Sequence, residues 1–480
     1  MTYRELLTRN ADFRRLWSGQ VVSEIGDWLN NIAVLALAIE LAGAERQGRV
    51  IAVYALARHL PLFVFGPVAG VVVDRTDRRR VMIAADLARA VLALGFLLAQ
   101  AYSSLPVIYA VGASLFSASA FFNAAKRASI PNLCAGGDEL PAANSLSAST
   151  TAATIAVGSA CGGLVATFFG RDIVFVLNAA TFLASAVIIG RISPLAVGGL
   201  RRRRAAGEQS RVEANDSPFE ENDLSVMSVP APSAFGWGES VVRRRSSAVE
   251  ASAVRRAFAE FRAGLRYVRG DGVLAAVFVV AACWGLGNGA ARALYSIFGA
   301  RLGEGAAAGW LARPKDFGIS VLFVAMGLGG VLGAPLARRF NSAPDGLGAR
   351  MGRSLCADGC ALFVFSLTPG LWWAAPVLIL REMNFAVWWT AQQTLLMRRT
   401  ADAYAGRVFA THETVTTLTM VGSIYLAGAA ADRFGIRLVA AGGGSVIALS
   451  GLLWFALRPR RGAAERGPEL TAGPTPRDSY

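Results

Sequence analysis

The chain has 480 residues, of which 54% are hydrophobic and only 17% are charged, against about 25% charged residues in a typical soluble protein. The apolar residues form blocks long enough to cross a bilayer as helices, at roughly 20 residues each, so an ordinary soluble domain is excluded. A net charge of +15 would suggest nucleic-acid binding in a soluble protein. Here the bases lie between apolar blocks, so we expect them to orient the chain in the lipid bilayer and expect no nucleic-acid partner.

Block length and hydrophobicity predict an all-α membrane protein with about twelve transmembrane helices. Arginine is concentrated in the segments that share a side with residues 1–16 and 458–480, which places both termini in the cytoplasm. The prediction is a multi-pass protein of the bacterial cell membrane, with one six-helix bundle over 17–192 and a second over 273–457. The predicted spans are 17–41, 50–73, 81–101, 105–125, 142–169, 172–192, 273–299, 315–337, 354–370, 371–396, 407–431 and 436–457.

The segment between the two bundles has a different composition. Residues 193–252 combine runs of arginine with much Ser, Glu, Ala and Pro, which predicts a disordered cytoplasmic linker that acts as a tether. Phe258, Phe261 and Leu265 then recur at helical spacing among arginines. Residues 253–272 are therefore predicted to form an amphipathic helix on the inner membrane surface.

The two halves of the chain contain an internal repeat, and its matching stretches occur in the same order in both halves. Two pseudo-symmetric bundles of six spans, with a site between them, are typical of transporter architectures. The matching pairs are "IGDWLNN" (25–31) with "LGNGAAR" (286–292), "GVVVDR" (70–75) with "GAPLAR" (333–338), and "VGSACGGLVATFFGRDIV" (157–174) with "VGSIYLAGAAADRFGIRLV" (421–439).

Span 1 carries a polar stripe inside an apolar block. Gln20, Glu24, Asp27 and Asn31 step by four, three and four residues, which places them on one helical face. Asp27 lies about 15 Å along the helix from Trp17, near the middle of the bilayer. A carboxylate at that depth must face water or a partner, so we expect Asp27, Glu24 and Asn31 to border a substrate cavity, and Asp27 with Glu24 to exchange a proton.

Other charged residues fall inside predicted spans and are candidate partners of that stripe. Arg58 and His59 lie deep in span 2, and Arg381 and Glu382 lie at a similar depth in span 10. They are candidates for proton coupling or for the wall of the cavity. The alternative interpretation is that they form ion pairs that only hold the helices together.

Span 10 also carries an aromatic and amide stripe. Trp388 and Gln392 share a face with Arg381 and Phe385. Such a stripe suits a large amphipathic ligand, because it offers apolar walls and a few polar anchors. Ordinary aromatic packing between helices explains it equally well.

Motifs of ATP hydrolysis and of common hydrolases are absent. The sequence has no GxxxxGKS or GxxxxGKT phosphate loop, no HExxH zinc pair and no GxSxG elbow. The five cysteines show no metal-ligand spacing. The prediction is a protein that is not an enzyme, with no cofactor and no metal.

The stretch "GVVVDRTDRRR" resembles the motif between spans 2 and 3 of the major facilitator superfamily. The matching residues are Gly70, Asp74, Arg75, Arg78 and Arg79. Further stretches resemble the branch of enterobactin and macrolide exporters, and the resemblance covers nearly the whole chain outside the linker and the tail. They are "NADFRRLWSGQVVSEIGDWL" (10–29), "ARHLPLFVFGPVAGVVVDRTDRRRVMIAADLARA" (57–90), "IPNLCAGGDELPAANSL" (130–146), "FAEFRAGLRYVRGDGVL" (258–274) and "QTLLMRRTADAYAGRV" (393–408).

The resemblance implies a cytoplasmic gate. Asp74 would contact the start of span 11, around Ala401–Gly406, only when the cytoplasmic side is shut, while Arg75, Arg78 and Arg79 would pair with nearby acids. An acid beside a helix N-terminus is stabilised by the helix dipole. The alternative is that these arginines only set the membrane topology.

The resemblance also covers a packing motif in span 5. Gly158, Gly162 and Gly163 keep the small residues that allow close helix packing. Ser159 stands where the family usually has proline, which weakens the implication of antiport. Asp77 stands where the gate motif commonly has glycine.

The resemblance implies a secondary transporter that works by alternating access. We expect a monomer that exports a small amphipathic molecule, such as a drug, a siderophore or another secondary metabolite, in exchange for protons. An importer on the same fold and a non-transporting membrane sensor or assembly protein are the alternatives. The polar stripe of span 1 argues against the sensor, because a sensor would not require it.

Overall fold

The computed structural model describes residues 2–134, 139–193, 260–306, 311–341 and 346–457. Within these residues the chain is helical throughout, with no strand. The helices are α1 (Tyr3–Arg9), α2 (Ala11–Ala42), α3 (Gln47–Arg75), α4 (Arg78–Ala101), α5 (Leu105–Leu133), α6 (Glu139–Phe169), α7 (Arg171–Gly190), α8 (260–269), α9 (Gly272–Ala306), α10 (Pro314–Asn341), α11 (Leu347–Leu367), α12 (Leu371–Arg399), α13 (Asp402–Phe434) and α14 (Ile436–Leu457).

The predicted linker and tail fall largely outside these residues. The linker from 194 onward and the tail at 458–480 are not among the described residues. The predicted interfacial helix over 253–272 is described only from residue 260, where α8 is helical up to residue 269.

Twelve of the helices are long enough to span a bilayer, with 20 to 35 residues each. Ten of these also have the mean hydropathy of a membrane span. The two others are α11 and α12, which carry charged and amide side chains such as Asp358, Arg381 and Gln392. All three side chains are buried within the protein, so α11 and α12 turn their polar groups away from lipid.

The two halves repeat one packing scheme, which confirms the prediction of two pseudo-symmetric six-helix bundles. In the first bundle α2 packs on α6 and α7, α3 packs on α5, and α4 packs on α5 and α7. In the second bundle α9 packs on α13 and α14, α10 packs on α12, and α11 packs on α12 and α14. Each pair in one bundle has its counterpart in the other.

Two one-residue connections also match between the halves. Gly170 alone joins α6 to α7, and Gly435 alone joins α13 to α14. Both glycines have positive φ angles, of 95° and 87°. A side chain is strained in that backbone region, so glycine permits a reversal of direction within one residue.

The bundles meet through α6 with α10 and through α3 with α13. We call the face that carries α1 and the α3–α4 turn the terminus face, and the opposite face, with Gly170 and Gly435, the far face. At the far face Gly48 of α3 packs against the backbone of Gly428 of α13. At the terminus face open space lies beside Gly70 of α3. The bundles are thus joined at the far face, and a crevice between them opens towards the terminus face.

Candidate functional site

Glu24 of α2 lies in a polar cluster of the first bundle. Its carboxylate accepts hydrogen bonds from Gln20 Nε2 at 2.7 Å and from Thr154 Oγ1 at 3.1 Å. Lys126 Nζ of α5 lies 3.4 Å away and completes an ion pair. The Glu24 side chain keeps 19% of its surface exposed, so the cluster borders the crevice and is not sealed inside the bundle.

Asp27 lies one helical turn further along α2 and is paired with a buried arginine. Its Oδ2 atom is 3.7 Å from Arg89 Nη1 of α4, and 25% of its side chain is exposed. Arg89 also donates a hydrogen bond to Asp86, and its guanidinium lies over the rings of Phe122 and Phe182. Asp27 therefore contacts a fixed cation on one side and the open crevice on the other.

Arg58, one of the predicted partners of the span 1 carboxylates, has a different nearest partner. Its Nη1 atom donates a hydrogen bond to Asn31 Oδ1. Its guanidinium lies 5.3 Å from the ring centroid of Trp28 and 4.8 Å from that of Phe116. His59 is half-buried and forms no hydrogen bond within the described residues. Of the predicted residues, Asn31 and Arg58 therefore contact each other directly.

The second bundle holds its own buried ion cluster around Arg381 of α12. Its guanidinium contacts the carboxylates of Asp358 at 3.2 Å and Glu382 at 3.0 Å. It also donates to Asn288 Oδ1 at 2.9 Å and to the Tyr295 hydroxyl. Glu382 keeps part of its side chain exposed, whereas Arg381 and Asp358 are fully enclosed. Arg381 thus fixes α9, α11 and α12 together, and Glu382 remains available to the crevice.

The aromatic stripe of α12 is packed inside the second bundle. Trp388 is fully buried, 4.6 Å between ring centroids from Trp284 of α9 and 5.7 Å from Phe385. Gln392 is also fully buried. In this conformation neither Trp388 nor Gln392 is accessible from the crevice, yet Trp388 Nε1 and both amide atoms of Gln392 have no hydrogen-bond partner among the described residues, so the ligand-facing stripe stays a prediction.

Arg292 of α9 is an exposed charged residue inside a predicted span that sequence reasoning did not single out. It lies one turn beyond Asn288 on the same helical face. The internal repeat offered a signal, because the alignment of "LGNGAAR" on "IGDWLNN" places Arg292 opposite Asn31 of the stripe.

Four further charged residues of the clusters were also missed. Asp86 and Arg89 are three residues apart in span 3, and an acid and a base at that spacing inside an apolar span were a usable signal. Lys126 falls just beyond the predicted end of span 4, whereas α5 continues to Leu133. Asp358 lies in span 9, whose partners could not be assigned from one sequence.

A buried ion pair clasps the two bundles at the far face. Arg171, the first residue of α7, binds Asp316 of α10 through two hydrogen bonds of 2.9 and 2.8 Å. It also donates to Glu40 of α2 at 2.7 Å. Nearby, Ser320 Oγ of α10 donates to the Ser159 carbonyl oxygen of α6 at 2.6 Å. Asp316 is fully buried, so this bidentate pair persists only while the far face is closed.

A second contact at the far face joins α13 to the start of α3. Asp432 accepts hydrogen bonds from the backbone N–H groups of Gly48 at 2.7 Å and Arg49 at 3.0 Å. The Arg49 Nε atom adds an ion pair at 3.1 Å, and Asp432 keeps only 6% of its side chain exposed. Asp432 thus binds the unsatisfied N–H groups at the N-terminus of α3. Its segment reads "GAAADR" (428–433), the same pattern as "GVVVDR" (70–75).

The predicted latch residue Asp74 has no partner at the terminus face among the described residues. Asp74 and Arg75 are exposed at the end of α3. Asp74 forms no hydrogen bond or ion pair within the part of the chain that the structure describes. Open space lies beside Gly70 and beside Gly406 of α13. Among the described residues, Asp74 therefore does not make the expected contact with the start of α13 in this conformation.

In this conformation Arg78 and Arg79 donate to backbone carbonyls, and neither forms an ion pair with an acid among the described residues. Arg78 donates to the Ala128 carbonyl of α5 at 2.7 Å, and Arg79 donates to the Gly190 carbonyl of α7. Asp77 accepts from the Arg79 N–H at 2.9 Å and caps the N-terminus of α4. The departure from glycine at position 77 thus supplies a helix cap.

The glycines of span 5 lie where helices approach closely. Gly158 packs on the backbone of α2 near Ile25, and Gly162 packs on Leu29. Gly163 lies against the side chain of Ser320 in the other bundle. A Cβ atom at any of the three would collide with these neighbours. The motif therefore allows α6 to pack closely on α2 within the first bundle and on α10 of the second bundle.

A cavity outside the crevice and the arrangement of possible metal ligands add nothing to the site in the crevice. A cavity of about 870 Å³ lies at the far face within the second bundle, lined by Arg301, Trp372, Trp373 and Arg437 among others, away from the crevice carboxylates. Across the described residues no group of three or more His, Cys, Asp or Glu side chains is arranged to hold a metal ion.

Comparison with known proteins gives one family. The sequence model of the Major Facilitator Superfamily matches residues 16–423 of the chain. The protein named "Putative bacilysin exporter BacE" from Bacillus subtilis is 26% identical over 418 residues, which cover 85% of this chain and 86% of that protein. "Macrolide efflux protein A" from Streptococcus pyogenes is 37% identical over 95 residues, or 20% of this chain and 23% of that protein.

Solved structures show the same fold at low sequence identity. The nucleoside transporter NupG superposes with a TM-score of 0.63 at 12% identity, over 93% of this chain and 100% of NupG. A bacterial homologue of the iron transporter ferroportin, in an inward-facing state, superposes with a TM-score of 0.62 at 12% identity, over 95% and 99% of the two chains.

Proposed function

Because the chain belongs to the Major Facilitator Superfamily, a family of transporters and not of enzymes, we propose that it exports a small amphipathic molecule in exchange for protons. It is a multi-pass membrane protein of the bacterial membrane. The observation that carries the proposal is Asp27, a carboxylate deep in α2 that contacts Arg89 on one side and the open crevice on the other. The names of the relatives support export over import.

Asp27 would couple the proton to the cargo. Without a proton, its charge pairs with Arg89. With a proton, Arg89 keeps Asp86 as its partner, and the first bundle loses one negative charge at the crevice wall. Cargo and proton can then favour different conformations, because a ligand shifts an equilibrium only through its different affinities for the two states.

The conformation described here would be inward-open. The arginine distribution places the terminus face in the cytoplasm, and the far-face clasp of Arg171 with Asp316 then closes the external side. Release of cargo outside requires that this clasp breaks and that the terminus face closes. An importer would use the same two conformations. It would differ only in the direction in which the proton gradient drives the cargo.

Asp74 would latch the terminus face in the outward-open state. The contact of Asp432 with the N-terminus of α3 supplies its template. Helices α3 and α13 run antiparallel, and each ends in the pattern Gly-xxx-Asp-Arg, but only the end of α13 lies against the start of its partner in this conformation. When the far face opens, Asp432 would leave the start of α3, and Asp74 would bind the start of α13, near Ala401–Gly406.

The test is proton release from inverted membrane vesicles. Vesicles acidified by respiration contain a dye that is quenched at low pH, and transport of added erythromycin or of an amphipathic carboxylate in exchange for protons restores fluorescence. We expect Asp27→Asn to abolish this response. The control is Asp12→Asn, which neutralises an acid near the start of α2 that pairs with Arg15 and should retain the response.

Two results would count against the proposal. A full response from Asp27→Asn removes Asp27 from the coupling. Accumulation of radiolabelled cargo inside right-side-out vesicles would show import and would contradict the proposed export.

A further inference from the structure

The cavity of about 870 Å³ at the far face lies at the ends of several spans of the second bundle. It is lined by residues from the end of α9, from the turn between α11 and α12, and from the turn between α13 and α14. Both turns are short, because residues 368–370 connect α11 to α12 and Gly435 alone connects α13 to α14. These connections contain too few residues to cover the cavity, which therefore lies near the membrane surface.

Two arginines line this cavity, and neither has a carboxylate within 4.0 Å among the described residues. Arg301 lies near the end of α9, and Arg437 lies in the first turn of α14. The acids nearest to them in sequence have other partners. Glu304 pairs with Lys315 at 3.3 Å, and Asp432 binds the start of α3. The cavity thus contains two positive charges that no adjacent carboxylate offsets.

The protein uses only part of the hydrogen-bonding capacity of these two arginines. Arg301 Nη2 donates to Gln47 Oε1 at 3.2 Å, and Arg437 Nη2 donates to the Thr368 carbonyl oxygen at 3.0 Å. A guanidinium group has five N–H donors. Each arginine is therefore positioned by one contact and retains donors for a ligand.

Exposed apolar side chains line the same cavity. Trp372 and Trp373 are 62% and 70% exposed, and Phe434 and Leu438 are exposed as well. Tryptophan at the end of a span is typical of the interface between membrane and water. A pair of cations beside such a surface fits a ligand with an anionic head group and apolar tails.

We propose that this cavity binds an anionic phospholipid from the membrane leaflet at the far face. The lipid phosphate accepts charge-assisted hydrogen bonds from Arg301 and Arg437, and the acyl chains lie along Trp373, Phe434 and Leu438. A zwitterionic phospholipid offers the same phosphate, but the two arginines repel its own cation. The site therefore selects a head group of net negative charge. The inference does not rest on the proposed function, because the cavity is separate from the crevice carboxylates.

The experiment is photochemical labelling of the full-length protein in nanodiscs of phosphatidylcholine. A trace of phosphatidylglycerol with a photoreactive group in one acyl chain is added, and labelled peptides are identified by mass spectrometry. We expect labelling at residues 369–373 and 434–438. Unlabelled phosphatidylglycerol should displace this label at a concentration about tenfold or more below that of phosphatidylethanolamine, which is zwitterionic.

Two pairs of substitutions isolate the arginines of the cavity. Arg301→Gln combined with Arg437→Gln should abolish the preference for phosphatidylglycerol, and Arg301→Lys combined with Arg437→Lys should keep most of it. The matched control is Arg46→Gln combined with Arg313→Gln, which removes two charges near the same face but outside the cavity. This control should behave like the wild type. Elution as a single species and an unchanged unfolding temperature verify that each variant is folded.

A soluble competitor separates a lipid from a free phosphate ester. Glycerol 3-phosphate in excess should leave the label in place, and its displacement of the label would overturn the lipid in favour of a soluble ligand. Equal displacement by the two phospholipids, or an unchanged preference in the glutamine pair of the cavity, would overturn the anionic site. Loss of the preference in the control pair would also do so, because the overall charge of the far face would then explain it. Proton exchange in vesicles tests the proposed function separately.

Discussion

The two ends of the α3–α13 pair carry the same residue pattern in opposite states. At the far face, Gly428 packs on Gly48 and Asp432 binds two backbone N–H groups of α3. At the terminus face, Gly70 lies beside open space and Asp74 is exposed. The comparison shows that the pattern Gly-xxx-Asp-Arg identifies a surface that can bind the start of the partner helix. The pattern does not determine whether that surface is bound in a given conformation, because binding depends on where the partner helix lies.

Arg171→Ala should shift the balance between the far-closed and far-open conformations more than any other variant considered. It leaves Asp316 buried without a counter-ion, which costs about 3–5 kcal/mol in the far-closed state. We expect the population to move to a conformation open at the far face. Spin labels at Tyr102 and Trp373, exposed residues of the two bundles at the far face, report the distance by pulsed electron resonance in a cysteine-free background.

The control for that variant is a charge exchange. Arg171→Asp combined with Asp316→Arg should restore much of the short distance, because a pair of opposite charges is kept. A distance distribution in Arg171→Ala that equals the wild type would show that the clasp does not hold the far face closed.

Gly428→Ala should shift the same equilibrium by a smaller amount. Its methyl group would collide with the backbone of Gly48, and overpacking costs about 1–3 kcal/mol. The matched variant is Gly70→Ala, whose methyl group enters open space in this conformation. The spin-label distance should lengthen in Gly428→Ala and not in Gly70→Ala, and equal behaviour of the two variants would contradict the asymmetry.

The smallest shifts should come from the two aspartates, and they should have opposite signs. Asp432→Asn weakens the cap of α3 in the far-closed state, at about 0.5–2 kcal/mol as for other helix caps, and should lengthen the far-face distance. Asp74→Asn weakens only the outward-open state and should raise cytoplasmic accessibility of single cysteines placed at the terminus face. Shifts of the same sign would refute the reciprocal latch.

The fold class was predictable because its signals are local. Apolar blocks of bilayer length and the repeat of "IGDWLNN" in "LGNGAAR" lie in the chain itself. Even α12, whose hydropathy is too low for a membrane span, was predicted from the length of its apolar block and the turn at Pro369 and Gly370 before it. Its low hydropathy follows from side chains such as Arg381 and Gln392, which are buried against other helices.

The pairing of charges was not predictable from one sequence. Asp27 was identified by its depth in span 1, but its partner was expected in span 2 or span 10 and lies in α4, as Arg89. Which helix neighbours another is a property of the assembled bundle, and helical spacing within one span does not report it. For the same reason Trp388 shares a face with candidate ligand residues and yet lies inside the bundle.

The one-residue turn at Gly170 determines how the far face can open. Arg171 follows that turn directly, and α6 before it packs along α10. The clasp residue has no loop in which to swing aside, so separating Arg171 from Asp316 requires the first bundle to tilt as a unit. The far face should therefore open in one step as the two bundles separate. No intermediate is expected in which only the connection at Gly170 has moved.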